Sequence, residues 1–223
     1  MNIICLYVYP NNGDARYRDY ALEFIAGHNF YNAGVPHRNL VICNSPVTDD
    51  TRLIFSDLPD CQLVEHDNSG YDIGAYQKGA REFPCDLMVF FGASTYFRHA
   101  NWLTRMRDSF QKFGRRHLYG AMSHCGGPVN AHIRTTAFWC APELMNSYPH
   151  RVTEPHQRYP FEHGPENLTD WCLRRGGAPI TVTHVGEYFL TQWYDIPGGY
   201  HNGAQEYLLV GDRMSRPPYY PTL

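Results

Sequence analysis

The sequence lacks any long hydrophobic run and carries little net charge. No stretch approaches the roughly 18 consecutive apolar residues that a membrane-spanning helix needs, and the first apolar run begins at residue 2 without the basic flank of a secretory signal. The formal net charge of the 223 residues is −3, which gives none of the positive potential that binds nucleic acid. We therefore expect a cytoplasmic protein with no membrane span and no nucleic-acid partner.

Paired cysteines and recognised metal or nucleotide motifs are absent as well. The 7 cysteines stand singly without CxxC spacing, so reduced, buried thiols are expected rather than disulfides. His117, His124 and His132 have neither the helical i, i+4 spacing nor the cysteine partners of a zinc motif. The chain has no GxSxG, GxxxxGK[ST] or GxGxxG sequence, which argues against a serine hydrolase, a P-loop nucleotidase and a dehydrogenase.

What the sequence does contain is an alternation of buried strands and helices. Apolar strand patterns cover residues 2–9, 39–43, 61–65 and 86–91, and helical patterns cover residues 15–33 and 71–83. Later segments predict strands at 118–122, 132–140 and 179–183 and helices at 102–113, 142–148 and 165–175. A polar loop is expected between residues 148 and 165, and the tail after residue 183 shows no strong periodicity. This order predicts one α/β domain over residues 1–223, with a mixed, mostly parallel sheet flanked by helices and ligands bound at the carboxyl ends of its strands.

The most informative stretch is His66 to Tyr76, where the third strand ends and a helix begins. A helix N-terminus presents free backbone N–H groups, and Asn68 and Asp72 supply directional partners for a base or a ribose. The same residues are also common helix caps, and the glycines at 70 and 74 are common in tight turns. Local chemistry alone leaves both interpretations open.

A family resemblance favours the ligand-binding interpretation. Residues 68–76, Asn-Ser-Gly-Tyr-Asp-Ile-Gly-Ala-Tyr, resemble the rhamnan synthesis protein F family and related GT-A-type glycosyltransferases, with further similarity at residues 132–139 and 166–169. The resemblance implies a GT-A-like, Rossmann-like fold that transfers a hexose or deoxyhexose from a nucleotide-diphosphate donor to a glycan or polysaccharide hydroxyl. It divides the chain into a nucleotide-sugar-binding half, residues 1–95, and an acceptor-facing half, residues 96–223.

The resemblance also assigns roles to individual residues. It implies that Tyr7, Tyr9 and Pro10 flank the base of the donor and that Asp72 binds the base or the ribose; Asn68, Ser94 and Arg213 complete the residues expected to bind the donor. It implies a general base at Glu166, with Asp170 one helical turn later and Glu162 just upstream, although an acid in a first helical turn also stabilises the helix electrostatically. His132 and Arg134 alternate along a predicted strand and are expected on the same face, where they would contact the acceptor or the phosphates together with His201.

The fourth strand departs from the family pattern. Relatives end it with an acidic residue that binds a divalent metal, whereas this chain has Gly92-Ala93-Ser94. Mn²⁺ or Mg²⁺ is therefore doubtful, and either no metal binds or its ligands lie elsewhere. Without a metal, the charge of the leaving diphosphate would be met by cationic side chains, for which the candidates are Arg16, Lys78, Arg98, His201 and Arg213.

Two other classes of protein stay open on the sequence. The missing acid is compatible with a non-catalytic module that binds nucleotide sugars or carbohydrates through the same fold. The 17 Tyr, 12 Phe and 4 Trp residues are compatible with an assembly protein that binds a partner through an aromatic surface, although most of these rings are expected in the core.

Overall fold

A computed structural model describes residues 1–10, 12–125, 130–197 and 205–215. The strands are β1 (Ile3–Tyr9), β2 (Arg38–Cys43), β3 (Cys61–Glu65), β4 (Leu87–Phe91), β5 (Tyr96–Phe97), β6 (Leu118–Gly120), β7 (Ser123–His124), β8 (His132–Ile133), β9 (Ala137–Cys140), β10 (Pro179–Val182), β11 (Glu187–Phe189) and β12 (Val210–Gly211). The helices are α1 (Ala15–Phe30), α2 (Asp49–Ile54), α3 (Tyr71–Glu82), α4 (Trp102–Phe113), α5 (Pro142–Asn146), α6 (Arg158–His163) and α7 (Leu168–Arg174), with short 3-10 helices at Pro155–Gln157, Leu190–Asp195 and Arg213–Ser215.

Eight strands form one mixed sheet in the order β11-β10-β6-β9-β4-β1-β2-β3. β1 pairs in parallel with β2 and with β4, and β2 pairs in parallel with β3. β9 runs antiparallel between β4 and β6, and β10 is parallel to β6. This is the predicted mixed, mostly parallel α/β sheet, and parallel pairing brings the carboxyl ends of β1, β2 and β4 to one edge.

Both faces of the sheet are covered by helices, and β1 shows how the sequence achieves this. All seven of its residues are buried. Tyr7 and the other odd-numbered residues pack with α1 and α4, while Leu6 and the other even-numbered residues pack with α3 and α5. A strand buried on both faces needs a continuous apolar run, and residues 3–9 supply it. Within the described ranges, no helix is both long and apolar enough to cross a bilayer.

Two differences between the second half and its predicted elements concern candidate site residues. The strand expected over residues 132–140 is split into β8 and β9, which belong to different sheets. The helix expected from residue 165 begins at Leu168, because the Asn167 side chain accepts a hydrogen bond of 2.9 Å from the backbone N–H of Asp170. Asparagine is among the strongest N-cap residues, so Glu166 lies outside the helix.

The turn before α3 depends on a glycine that no other residue can replace without strain. Gly70 has φ +68°, and a Cβ at this position would overlap the backbone carbonyl of Val152. The Gly70 N–H also donates to the carbonyl oxygen of Thr153 at 2.8 Å. The N-terminus of α3 is thereby packed directly against the backbone of residues 152–153.

We expect Gly70→Ala to lower the free energy of unfolding by about 3 kcal/mol or more, because left-handed backbone strain adds to the steric overlap. Gly176→Ala is the matched control: Gly176 has φ +75°, but a Cβ added there would have no heavy atom within 4 Å. Strain alone should cost that variant about 1–2 kcal/mol. Urea unfolding measures both, and equal losses would contradict the assigned role of the Val152 contact.

A histidine pair, formed by the buried His28 of α1 and the partly buried His37, lies next to Trp102 of α4. The Nε2 atoms of His28 and His37 are 2.9 Å apart, and His37 Nδ1 lies 3.0 Å from the carbonyl oxygen of Val35. His37 therefore donates through Nδ1 and accepts through Nε2 from His28, an arrangement that requires the His37 ring to be neutral. Burial lowers the pKa of His28 to about 4 and also lowers the pKa of His37.

Because the pKa of His28 is lower in the folded state, the unfolded chain binds more protons below its ordinary value of 6.5. The free energy of unfolding should therefore fall as the pH drops from 6.5 toward 4, by up to about 1.4 kcal/mol per unit for this group. His28→Phe should reduce this pH dependence, and the exposed control His156→Gln should retain it. Urea unfolding at pH 7 and pH 5 tests the difference; an unchanged pH dependence in His28→Phe would rule the pair out as its source.

Candidate functional site

An open cleft of about 590 Å³ lies at the sheet edge where β1, β2 and β4 end. Pro10 follows β1, Asn44 follows β2, and the Gly92–Ser94 turn follows β4. The N-terminus of α3 forms one wall, while residues 134–136, α6 and residues 212–214 form the other. Three strand ends and a helix N-terminus thus surround a cavity large enough for a nucleotide-sized ligand.

The loop that enters α3 holds strained backbone against this cleft. Asn68 has φ +64° and Tyr71 has φ +53°, both in the left-handed region that is unfavourable for a residue with a Cβ. The Asn68 Oδ1 atom is buried and has no hydrogen-bond partner among the described residues. Strain and an unsatisfied polar atom at a cavity wall are typical of a ligand-binding loop.

Asp72 lies in the first turn of α3 and forms an ion pair across the cleft. Arg158 Nε is 2.6 Å from Asp72 Oδ1, and Arg158 Nη2 donates to Asp72 Oδ2 at 3.0 Å. Burial raises the pKa of the Asp72 carboxyl, and the Arg158 guanidinium opposes this by stabilising the charged form. The same guanidinium lies over the Tyr71 ring, 5.5 Å from its centroid. The pair joins α3 to α6 at the mouth of the cleft.

Asp212 is the most enclosed carboxylate of the cleft, with 2% of its surface exposed. Its Oδ2 accepts from Arg134 Nη2 at 2.7 Å and from Thr136 Oγ1 at 2.9 Å. Its Oδ1 accepts from the backbone N–H groups of Met214 and Ser215 at 2.9 and 3.0 Å. Both oxygens are occupied by donors, so Asp212 anchors residues 212–215 to residues 134–136 and is not available as a metal ligand.

The turn after β4 does not suit a divalent metal. The Ala93 carbonyl oxygen accepts from Tyr7 Oη at 2.8 Å, and the Gly92 N–H donates to the Thr136 carbonyl oxygen at 2.7 Å. Gly92, Ala93 and Ser94 offer no carboxylate, and Asp212 is saturated by other donors. A metal held at this turn, of the kind that the family resemblance implies, is not supported by the residues present.

The cleft brings together six of the residues singled out from the sequence. These are Pro10, Asn68, Asp72, Ser94, Arg134 and Arg213. His201 lies outside the described residues. Of the remaining cation candidates, Arg16 pairs with Asp14 and Lys78 with Glu82, and neither lines the cleft. Arg98 does not line it either.

Tyr7 and Tyr9 lie beneath the cleft and do not line it. They are 1% and 4% exposed, and the Tyr7 ring stacks on Phe24 of α1 with the centroids 4.2 Å apart. Side chains alternate along a strand, so β1 directs its odd-numbered residues toward α1 while Val8 faces the cleft. The expectation that both tyrosines flank a base is therefore not supported by their positions.

His132 and Arg134 do not share a face, because β8 ends at Ile133 and the alternation of side chains ends with it. His132 is 2% exposed and packs against His163, whereas Arg134 lines the cleft. Burial lowers the pKa of His132 to about 4.

Glu166 and Asp170 lie outside the cleft. Arg174 Nη1 donates to Glu166 Oε1 at 3.0 Å, and Arg174 also contacts Asp170 at 3.4 Å. Hydrogen bonds from Arg174 and His150 lower the pKa of the Glu166 carboxyl, which weakens it as a base. The structure does not bring this pair together with the donor-binding candidates.

Sequence reasoning missed several cleft residues, which are Asn44, Arg158, His163 and Asp212. Asn44 had an available signal, since it directly follows the second predicted strand. α6 lies in a stretch predicted as a polar loop, and Asp212 lies in a tail without periodicity. No local pattern marks either as part of a site; only the packing of distant segments does.

The described residues form a single GT-A-type α/β domain, and solved structures share this fold. The apo form of mouse xyloside xylosyltransferase 1 matches with a TM-score of 0.51 and 9% identity over 77% of this chain and 80% of that chain. Residues 1–349 of S. aureus TarS, in complex with UDP-GlcNAc, match with a TM-score of 0.51 and 9% identity over 77% of this chain and 52% of that chain. At the level of sequence, no protein family and no curated protein matches.

We expect Asp212→Ala to lower the free energy of unfolding by about 3 kcal/mol, because it leaves the Arg134 guanidinium, with a side chain 13% exposed, without its carboxylate. The matched control is Asp50→Ala, which removes the exposed pair of Asp50 with Arg18 and should cost less than about 1 kcal/mol. Urea unfolding at pH 7 measures both. A loss no larger than the control's would show that Asp212 does not anchor the cleft wall.

Proposed function

We propose that this protein is a glycosyltransferase that moves a sugar from a nucleotide-diphosphate donor to a hydroxyl group of a glycan or polysaccharide. The proposal depends on one observation: in a GT-A fold, a cleft of about 590 Å³ lies where β1, β2 and β4 end and α3 begins. Open α/β sheets bind their ligands at this edge. A hexose or deoxyhexose is the donor sugar suggested by the resemblance to the rhamnan synthesis protein F family.

The nucleoside end of the donor is assigned to the α3 side of the cleft. Asn68 offers an unpartnered buried oxygen, and the Asp72 carboxylate is held in place by Arg158. Both groups accept hydrogen bonds, which suits ribose hydroxyls and the amino or imino groups of a base. Their fixed positions reduce the side-chain ordering that binding would otherwise require.

The diphosphate is assigned to the opposite wall. Arg134, Arg158 and Arg213 line the cleft, and the first two are already engaged by Asp212 and Asp72. Arg213 is exposed and forms no ion pair with any other described residue. Its position beside Ser94 supports a role in neutralising charge on the departing diphosphate, the task that a metal performs in relatives with an acidic turn.

A non-catalytic module that binds a nucleotide sugar is the alternative function. One observation favours it, namely that Gly92, Ala93 and Ser94 offer no carboxylate and Asp212 is saturated. The two functions share a donor site and differ in turnover.

We expect one class among UDP-, GDP-, dTDP- and CMP-sugars to raise the melting temperature. A ligand at 100 times its Kd adds about 2.7 kcal/mol, which corresponds to a shift of about 5 to 10 °C for a domain of this size. UDP-GlcNAc is a reasonable first donor, since it is the ligand of the TarS complex. Release of free nucleotide diphosphate in the presence of glycan acceptors then measures transfer. Binding without release under any acceptor or metal condition would favour the non-catalytic module, and no thermal response to any donor would refute both.

Arg213→Gln should weaken donor binding by about tenfold, the value expected for one charge-assisted hydrogen bond. Arg116→Gln is the matched control, because Arg116 is exposed and lies away from the cleft. Glu166→Gln should retain turnover, since Glu166 lies outside the cleft. Equal affinity in Arg213→Gln and the control would remove Arg213 from the donor site.

A further inference from the structure

Two histidines and a glutamate meet behind the cleft wall. His132 belongs to β8, and Glu162 and His163 end α6. One potential ligand atom from each residue lies within 4.8 Å of the other two. Glu162 and His163 line the cleft, while His132 is buried next to them. Residues about thirty positions apart in the sequence are thus gathered at one point by the packing of α6 against β8.

The His132 ring is oriented by the backbone. Its Nδ1 atom lies 2.7 Å from the carbonyl oxygen of Asn130, so Nδ1 carries the proton and donates. The other ring nitrogen, Nε2, is then an unprotonated acceptor. Metal-binding histidines are commonly held in this way, with one nitrogen donating to a carbonyl group and the other facing the ion.

Glu162 is oriented in a similar manner. Its Oε1 accepts from the backbone N–H of Thr135 at 3.0 Å, which fixes the plane of the carboxylate. The other oxygen, Oε2, lies 3.5 Å from His163 Nε2. This distance is longer than a strong charge-assisted hydrogen bond, so the two groups lie side by side without being tightly joined.

His163 supplies an unexplained polar atom. Its Nδ1 is buried and has no hydrogen-bond partner among the described residues. The His163 ring packs edge-on against His132, with the centroids 4.5 Å apart and an angle of 82° between the planes. Burying a ring nitrogen without a partner is unfavourable, and an ion coordinated by this nitrogen would offset that cost.

We propose that His132, Glu162 and His163 form a binding site for a divalent transition-metal ion, with Zn²⁺ as its best-suited occupant. Two imidazoles and one carboxylate are a donor set that Zn²⁺ accepts, whereas Mg²⁺ and Ca²⁺ prefer sites built from oxygen atoms alone. Three protein ligands leave at least one coordination position open. Because Glu162 and His163 line the cleft, an ion held by the cluster would lie at the cleft wall. The inference stands apart from the proposed glycosyl transfer and requires no donor sugar to test.

The test uses the full chain after treatment with a chelator, with Zn²⁺ followed by calorimetry and Co²⁺ followed by its visible absorption. One equivalent of either ion should bind, and excess Mg²⁺ should not displace it. Glu162→Gln and His163→Gln should each weaken binding by about tenfold or more, a loss at least as large as that from removing an outer-shell partner. These variants carry the test because both side chains are partly exposed, whereas replacement of buried His132 risks misfolding.

His156→Gln is the matched control, since His156 is exposed and lies just before α6 outside the cluster. It should bind both ions like the unmodified chain. The proposal is overturned if Co²⁺ gives no new absorption, if both cluster variants bind as the control does, or if the spectrum shows the intense thiolate band of cysteine ligands. Because no nucleotide or sugar is present, failure here would leave the proposed transferase untouched.

Discussion

The parallel pairing of β1 with β2 on one side and β4 on the other is the constraint on which the structure depends. It ends three strands at the same edge, and the connecting segments must leave the sheet there. The apolar run of residues 3–9 makes this possible, because a strand buried on both faces can accept helices above and below. The cleft is a consequence of this pairing. The segments that follow Tyr9, Cys43 and Phe91 leave the sheet in different directions, and they do not fill the space between them.

The walls of the cleft are joined by two ion pairs of different character. Asp212 and Arg134 are nearly enclosed and tie the end of the described chain to the segment between β8 and β9. Asp72 and Arg158 are more open and join α3 to α6. Breaking an enclosed pair leaves a buried charge without compensation, whereas a pair near solvent is screened and costs less. The first pair therefore shapes the cleft, and the second is better placed to exchange its partner for a ligand.

The turn after β4 carries no charged side chain of its own. It presents Gly92, Ala93 and Ser94 where the family resemblance leads us to expect an acid, and three arginines line the cleft walls. A diphosphate can be stabilised by guanidinium groups as well as by a metal, because both oppose the negative charge that develops. The His132, Glu162 and His163 cluster would place a second cation on the α6 side, at a position unrelated to the turn.

The sequence by itself determined the strand and helix order of the first half, the class of the fold and the place of the loop with Asn68 and Asp72 between the third strand and the helix that follows it. These features depend on local periodicity and on turn chemistry, and both can be read from residues that are close together in the sequence. Only the tertiary structure decided that Tyr7 faces the core, that Glu166 lies outside the cleft and that Asp212 lies within it. Which face of a strand meets a ligand, and which distant segments share a wall, are set by packing between residues far apart in the chain, and no linear pattern records that packing.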